Sequence, residues 1–314
     1  MTVPVLAPVQ TSSRLRRVSQ VAALVTLVLF VLLLVAPGAL AHTPPNTTTD
    51  AFLAPPSGDH WFGTDQLGRD VLSRTVFGAR PVLLASLLGV LVAMAAGVAV
   101  GIVAGTAPRW LNAVLMRAVD VLLALPVLLI ALILIATAGS GIRSIVAAIA
   151  VAFAPGFARV VEASVRKLRT AEYVEASQVF GSTGLRTAVR HLLPNLMTEV
   201  VVLGSSAVGW AVLTATTLSF LGLGVELPAP DWGSDLAAGA TSLSTAWWLS
   251  SFPGLAITLT ILLANFSGDY LMGALDPREG VRLRQGVRTF LGNRAPRVVP
   301  PATATATTTN GAAR

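Results

Sequence analysis

Residues 81–106 read PVLLASLLGVLVAMAAGVAVGIVAGT, without one charged side chain. At a rise of about 1.5 Å per residue this run outspans the ~30 Å hydrocarbon core of a bilayer, so it reads as a transmembrane helix. Five further apolar runs have the same character: about 20–41, 112–138, 143–161, 197–223 and 251–274. Six spans predict an all-α integral membrane protein, since a helix satisfies its own backbone groups where water is absent.

Composition agrees. Of 314 residues, 54% are hydrophobic and 12% charged, with a mean hydropathy of +0.74, against roughly 25% charged in soluble domains. The absence of cysteine excludes disulfides, thiolate metal sites and cysteine nucleophiles. A net charge of +7 is compatible with nucleic acid in principle. The basic residues gather between apolar runs and at the two ends, however, as anchoring against an anionic leaflet requires. A lipid bilayer, not nucleic acid, is the expected partner.

The first run, 20–41, follows Arg14, Arg16 and Arg17 and ends in Ala39-Leu40-Ala41, which resembles a peptidase site. A signal peptide and a retained span are both open. The run exceeds the 7–15 residues of a signal h-region, which favours the span. Six spans put both termini on one side. If that side is cytoplasmic, the inside Lys and Arg are three at the N-terminus, Arg109 and Arg117, six from Arg159 to Arg190 and seven from Arg278 onward. Only Arg69, Arg74, Arg80 and Arg143 lie outside, so the positive-inside rule predicts cytoplasmic termini. The chain then divides into a tail (1–19), a first span (20–41), an external segment (42–80), a five-helix core (81–274) and a basic tail (275–314). The last of these ends in PPATATATTTNGAAR, whose low complexity predicts disorder.

In the external segment, Leu67, Val71, Leu72 and Val76 recur at helical spacing, with Asp65, Arg69, Asp70 and Arg74 largely on another face. That pattern predicts an amphipathic helix on the membrane surface, with an Asp70–Arg74 pair worth a few tenths of a kcal/mol. The loop 224–250 carries Glu226, Asp231 and Asp235 and no base. Asp231, Trp232, Trp247 and Trp248 make it a candidate face for an external binding protein, although tryptophans also serve as interfacial anchors.

Catalytic constellations are missing from the sequence. The lone lysine, Lys167, does not follow a glycine-rich turn, so no phosphate loop of the Gly-Lys-Ser/Thr type is present. His42, His60 and His191 are far apart, and no metal site is expected. Asp120 and Glu162 lie three residues from Arg117 and Arg159, which predicts local ion pairs. Glu199 and Asp269 sit near span ends. Spans so poor in acids argue against an ion-coupled carrier, the main alternative from another functional class.

The loop 166–197 is too long for a simple turn. Val174, Ala176, Val179 and Phe180 suggest a short helix; Gly181 permits a sharp turn and Ser182 or Thr183 can cap a second helix. Leu185, Val189, Leu192 and Leu193 give that second helix an apolar side, and Pro194 ends it. Such a hairpin either docks a partner or packs on the chain's own span ends.

Glu175-Ala176-Ser177, Gly181 and Leu193-Pro194 resemble the EAA motif, EAA-x3-G-x9-I-x-L-P, of bacterial ABC importer permeases. Ser177 replaces the second alanine and His191 the isoleucine; Arg190 to Asn195, RHLLPN, resembles the dipeptide, oligopeptide and nickel branch. Phe62 to Arg80, Leu218 to Gly233 and Pro253 to Arg278 are similar to the C-type permease of that branch. Relatives often carry glutamate where Ala215 stands. The resemblance implies a type I importer permease (MetI-like) fold in the bacterial cytoplasmic membrane, with a coupling helix at Glu175 to Phe180. It also implies a second, homologous permease as heterodimer partner, two cytoplasmic ATPase subunits that bind ATP and magnesium, and an extracytoplasmic substrate-binding protein. Glu175, Ala176, Ser177, Gly181, His191, Leu193 and Pro194 would carry the ATPase coupling, with no cofactor and no catalysis in this chain. Peptides are the implied cargo, with nickel, glutathione or haem as alternatives within the branch.

Overall fold

The computed structural model describes residues 24–25, 28–41, 43–169 and 192–275. Its named elements are all helical among these residues. Residues 28–35 are helical and run into a 3-10 turn at Pro37–Ala39. Then come α1 (Val71–Thr106), α2 (Arg109–Ala124), α3 (Val127–Ala138), α4 (Ile142–Arg169), α5 (Leu193–Leu218), a π-helical stretch (Ser219–Leu223), α6 (Trp232–Ala240) and α7 (Trp248–Leu275).

Local chemistry explains where the helices start and stop. The Asp70 carboxylate caps α1 by accepting from the Ser73 N–H at 2.8 Å. Pro126 ends α2, because the residue before proline is pushed out of helical geometry. Arg166, Lys167 and Arg169 occupy the last turn of α4, where cations meet the negative end of the helix dipole. Pro194 stands in the first turn of α5, the one place where its missing N–H costs nothing. At Gly222 (φ +81°) the π-helical stretch breaks out of helical geometry.

Among the described residues, four helical stretches are long and apolar enough to cross a membrane: Val71–Thr106, Ile142–Arg169, Leu196–Leu223 and Trp248–Gly268. A fifth is added if α2 and α3, bent by 93°, form one span. Three expectations change. The run at 112–138 is not one helix. The run at 81–106 begins ten residues earlier, at Val71, and forms a helix about 54 Å long by the usual rise. Residues 62–70 are turns rather than a surface helix, and the amphipathic pattern of Val71 to Arg80 belongs to the N-terminal end of α1.

The core is organised by α1 against α4. Ala85, Gly89, Ala93, Gly97, Gly101 and Gly105 recur every four residues along α1. A Cβ added at Gly89 would stand 2.7 Å from Ile149 Cβ, at Gly101 2.7 Å from Val161 Cβ, and at Gly105 2.7 Å from Val165 Cβ. Small residues let two backbones approach where lipid offers no hydrophobic drive. The partner lies sixty positions later each time, so α1 and α4 run parallel in fixed register. A step of four overshoots the 3.6-residue turn, so the seam winds right-handedly.

The other helices fill in around this pair. At one end Val161 and Val165 pack with Leu192, just before α5, and with Leu196 and Val200 of α5; at the other, Ala85 and Ile145 share a cluster with Ala211, Ala215 and Leu218. Helix α5 is therefore antiparallel to α4. Phe30 and Leu33 lie in a cluster with Ala79, Val82 and Leu83 of α1 and Ile257 of α7.

Candidate functional site

Two ends of the bundle concentrate the polar contacts. One end is the root of the loop between α4 and α5. Residues 170–191 lie outside the described residues, and with them Glu175, Ala176, Ser177, Gly181 and His191. Leu193 is half-buried and Pro194 exposed, at the start of α5. The two roots are held together: Leu192 and Leu196 pack on Val161 and Val165, and Ser164 Oγ donates to Glu199 Oε2 at 2.6 Å. Arg169 Nη1 donates to the Gly105 carbonyl at 3.0 Å, which ties the loop's first root to the end of α1.

The expected local ion pairs are re-partnered here. Asp120 meets Arg159 at 3.4 Å, across α2 and α4, rather than Arg117. Glu162 is buried and bonds Arg166 Nη1 at 3.3 Å and Asn112 Nδ2 at 2.9 Å, rather than pairing with Arg159. Asn112 also donates to the Ala104 carbonyl, so α1, α2 and α4 are joined at one level. The side chain of Asp269 lies outside the described residues.

The opposite end is a polar cap built from the segment before α1 and from α6. Asp65 accepts from the Leu67 and Arg69 N–H groups and from Arg69 Nε at 2.6 Å. Arg74, 4% exposed, does not pair with Asp70. Its Nε and Nη2 reach Asp235 Oδ1 at 3.0 and 2.5 Å, and Nη1 reaches Asn46 Oδ1 and the Pro228 carbonyl. Asp70 instead contacts His60 Nδ1 at 3.2 Å.

Asp231 and Trp232 do not face outward. Asp231 is 1% exposed and caps α6, accepting from the Gly233 and Ser234 N–H groups; Trp232 is 2% exposed and donates from Nε1 to the Thr75 carbonyl at 2.6 Å. Both bolt α6 to α1. Trp248 is likewise buried and bonds the Thr64 carbonyl, while Trp247 stays exposed. Burial pushes the Asp231 and Asp235 carboxyls above their ordinary value near 3.8, outweighing the Ser234 N–H at the first and Arg74 at the second.

Between the cap and α7 lies a cavity of about 430 Å³ whose lining includes Arg69, Arg74, Asp235, Ser219 and Phe220. Sequence reasoning missed the Arg74–Asp235 bridge, although its signal was present: an acidic loop without bases, and an outer segment that holds three arginines. Among the described residues no group of His, Asp or Glu could hold a metal ion.

A long glycine seam, a loop root tied to two helices and a polar cap at the opposite end describe a bundle of apolar helices suited to a membrane. The family described as "Binding-protein-dependent transport system inner membrane component" matches residues 97–281. The chain is 40% identical over 261 residues to the Di/tripeptide transport system permease protein DppC of Pseudomonas aeruginosa, covering 80% of this chain and 86% of that protein. It is 38% identical to the Glutathione transport system permease protein GsiD of Pectobacterium atrosepticum, covering 71% and 74%. A putative peptide transport system permease protein of Brucella suis shows 37% identity, covering 87% and 93%. Such a match over more than half the chain, on a bundle of apolar helices, makes this protein a member of the binding-protein-dependent transport system inner membrane component family.

Proposed function

We infer that this chain is the permease subunit of an ATP-driven importer of short peptides. The observation that carries the reading is the 40% identity to a di/tripeptide permease across 80% of this chain. Glutathione, named for the second relative, is itself a tripeptide, so both names fall within one cargo class. No phosphate loop exists in the sequence, so ATP and magnesium are bound by separate ATPase subunits. A second, homologous permease and an extracytoplasmic substrate-binding protein complete the assembly.

The layout supports six spans with cytoplasmic termini. Because α1 and α4 are parallel, residues 107–141 must recross the membrane, so α2 and α3 together act as one broken span. Residues 28–41 lead to the same end as Val71, where Thr43 Oγ1 meets Ser73 Oγ at 2.7 Å. Counting from there, residues 170–191 fall on the side of both termini, which the positive-inside rule makes cytoplasmic.

Glu175 to Phe180 form the coupling helix, seated in a groove of an ATPase, with Ala176 and Ser177 on it, Gly181 at the turn, and His191, Leu193 and Pro194 at the exit. ATP binding draws the ATPases together, and this biases the bundle between inward and outward openings. With Asp231 and Trp232 buried, a binding protein would meet the cap through exposed neighbours such as Trp61 and Trp247.

The test is reconstitution of the chain with its permease partner, ATPases and binding protein. ATP hydrolysis stimulated by di- and tripeptides, and not by nickel or haem, is the expected result; stimulation by nickel alone overturns the cargo. In the same system Gly181→Val should assemble normally yet hydrolyse ATP without uptake. Wild-type uptake by that variant removes the coupling assignment.

A further inference from the structure

Two polar side chains lie open at the depth where water is scarcest. Gly209 and Trp210 are the central residues of the apolar span Leu196–Leu223. Trp210 is 66% exposed, and its indole N–H has no acceptor among the described residues, whereas the buried Trp232 and Trp248 each donate to a carbonyl. Asn265 of α7 is exposed too. A Cβ on Gly209 would stand 2.8 Å from Asn265 Oδ1, which places the carboxamide at the same depth. That carboxamide also has no hydrogen-bond partner among the described residues. Other polar groups on these helices are satisfied at home: Thr214, Thr217 and Thr258 donate to carbonyls one turn back.

Lipid can serve neither group. An amide moved into hydrocarbon without a partner is costly, and tryptophan at a membrane belongs at the interface, not at mid-span. An apolar protein surface would leave both groups equally unpaired. Their neighbour must therefore be polar, and side chains of this kind inside a membrane mark the route of a solute.

Both groups open on one groove. Helix α5 buries Ala207, Ala211 and Ala215 toward α1 and α4, and Val212 toward α1 and α7, so Trp210 stands on the opposite face. Helix α7 sits close against α5 here, since a Cβ on Gly268 would stand 3.1 Å from Ser205 Oγ. On α7, Leu255, Leu259, Leu262 and Phe266 form an exposed apolar strip suited to lipid, and Asn265 falls on the neighbouring strip that faces Gly209.

We propose that Trp210 and Asn265 touch the peptide at the midpoint of its passage, a role that deepens the importer reading given above and rests on it. A carboxamide carries an acceptor and two donors, so it pairs with the C=O and N–H of a peptide group whatever side chains flank it. The indole adds one donor and an apolar face. Recognition of this kind reads the backbone that all short peptides share.

The experiment uses the assembled complex in membrane vesicles of both orientations. With no native cysteine, Trp210→Cys, Asn265→Cys and Leu259→Cys each place a single thiol in this chain. A charged methanethiosulfonate, which reacts with thiolates in water, should modify the first two in at least one nucleotide state and leave the third untouched; excess alanyl-alanine should slow that modification. A dipeptide bearing a diazirine side chain, irradiated during turnover, should leave an adduct on α5 or α7 of this chain. Asn265→Leu should lower dipeptide uptake roughly tenfold, the scale of one lost hydrogen-bonding group, without lowering the unfolding temperature of the complex. Thiols at 210 and 265 inert to the charged reagent in every state, labelling that the dipeptide does not slow, or undiminished uptake by Asn265→Leu would each overturn the proposal while dipeptides still stimulate ATP hydrolysis. Wild-type complex that no peptide stimulates would instead overturn the importer reading, and this contact with it.

Discussion

Single buried groups decide the stability of the outer cap, and Asp231 is the clearest case. Its carboxylate serves as an N-cap, yet burial holds its pKa above 3.8. An acid with a raised folded pKa binds more protons folded than unfolded, so the charged form penalises folding as pH rises past the unfolded value. Asp231→Asn keeps the capping oxygen and removes that charge. The variant should match or exceed wild-type thermal stability at pH 7. That advantage should fade as pH falls from 7 toward 4. Thermal unfolding of the purified chain in detergent at several pH values checks this, and an advantage that grows on acidification would refute it. At this scale the sequence was legible in chemistry but not in partners. The spacing of Asp70 and Arg74 pointed to a local pair, but a buried guanidinium takes the geometry that supplies most acceptors, and Asp235, Asn46 and Pro228 supply more than one helical neighbour does. Arg159 and Glu162 were misread for the same reason, since their partners stand on neighbouring helices or one turn further along.

Among the elements, α1 and α4 matter most. Gly101→Leu places a branched side chain where even a Cβ would stand 2.7 Å from Val161 Cβ and 2.8 Å from the Ala158 carbonyl. Overpacking a tight contact costs roughly 1–3 kcal/mol. We expect a lowered unfolding temperature and reduced yield of folded protein, whereas Gly156→Ala, where added volume meets open space, should behave as wild type. Fluorescence-detected gel filtration after heating measures both; equal survival of the two variants would mean the seam is loose. Helix existence was legible from hydropathy, because apolar length is what a bilayer selects. The seam was written in the spacing of small residues and was overlooked, since hydropathy treats glycine and alanine as filler. The break at Pro126 was equally visible as a letter, but an uninterrupted apolar run hides a change of direction: lipid-compatible composition is the same on both sides of a bend.

For the whole molecule, topology is the property to test. With no native cysteine, Ser57→Cys and Ala171→Cys each give one reactive site. An impermeant maleimide should label the first in intact cells and the second only in inverted vesicles; the reverse pattern would invert the orientation and detach the loop from any cytosolic ATPase. The side assignment itself rests on the charge distribution alone, while the layout of the cap did not emerge from the sequence, because Thr64, Arg74 and Thr75 find Trp248, Asp235 and Trp232 far along the chain. The fixed register between α1 and α4 has a mechanical consequence. A smooth glide of one rod along the other is blocked by methyl groups lodged in glycine notches, and the next matching position lies four residues away, about 6 Å by the helical rise. The pair is therefore a stiff pushrod: a displacement imposed at Arg169 and Gly105 arrives at Val71, about 51 Å distant, without being lost to creep along the way.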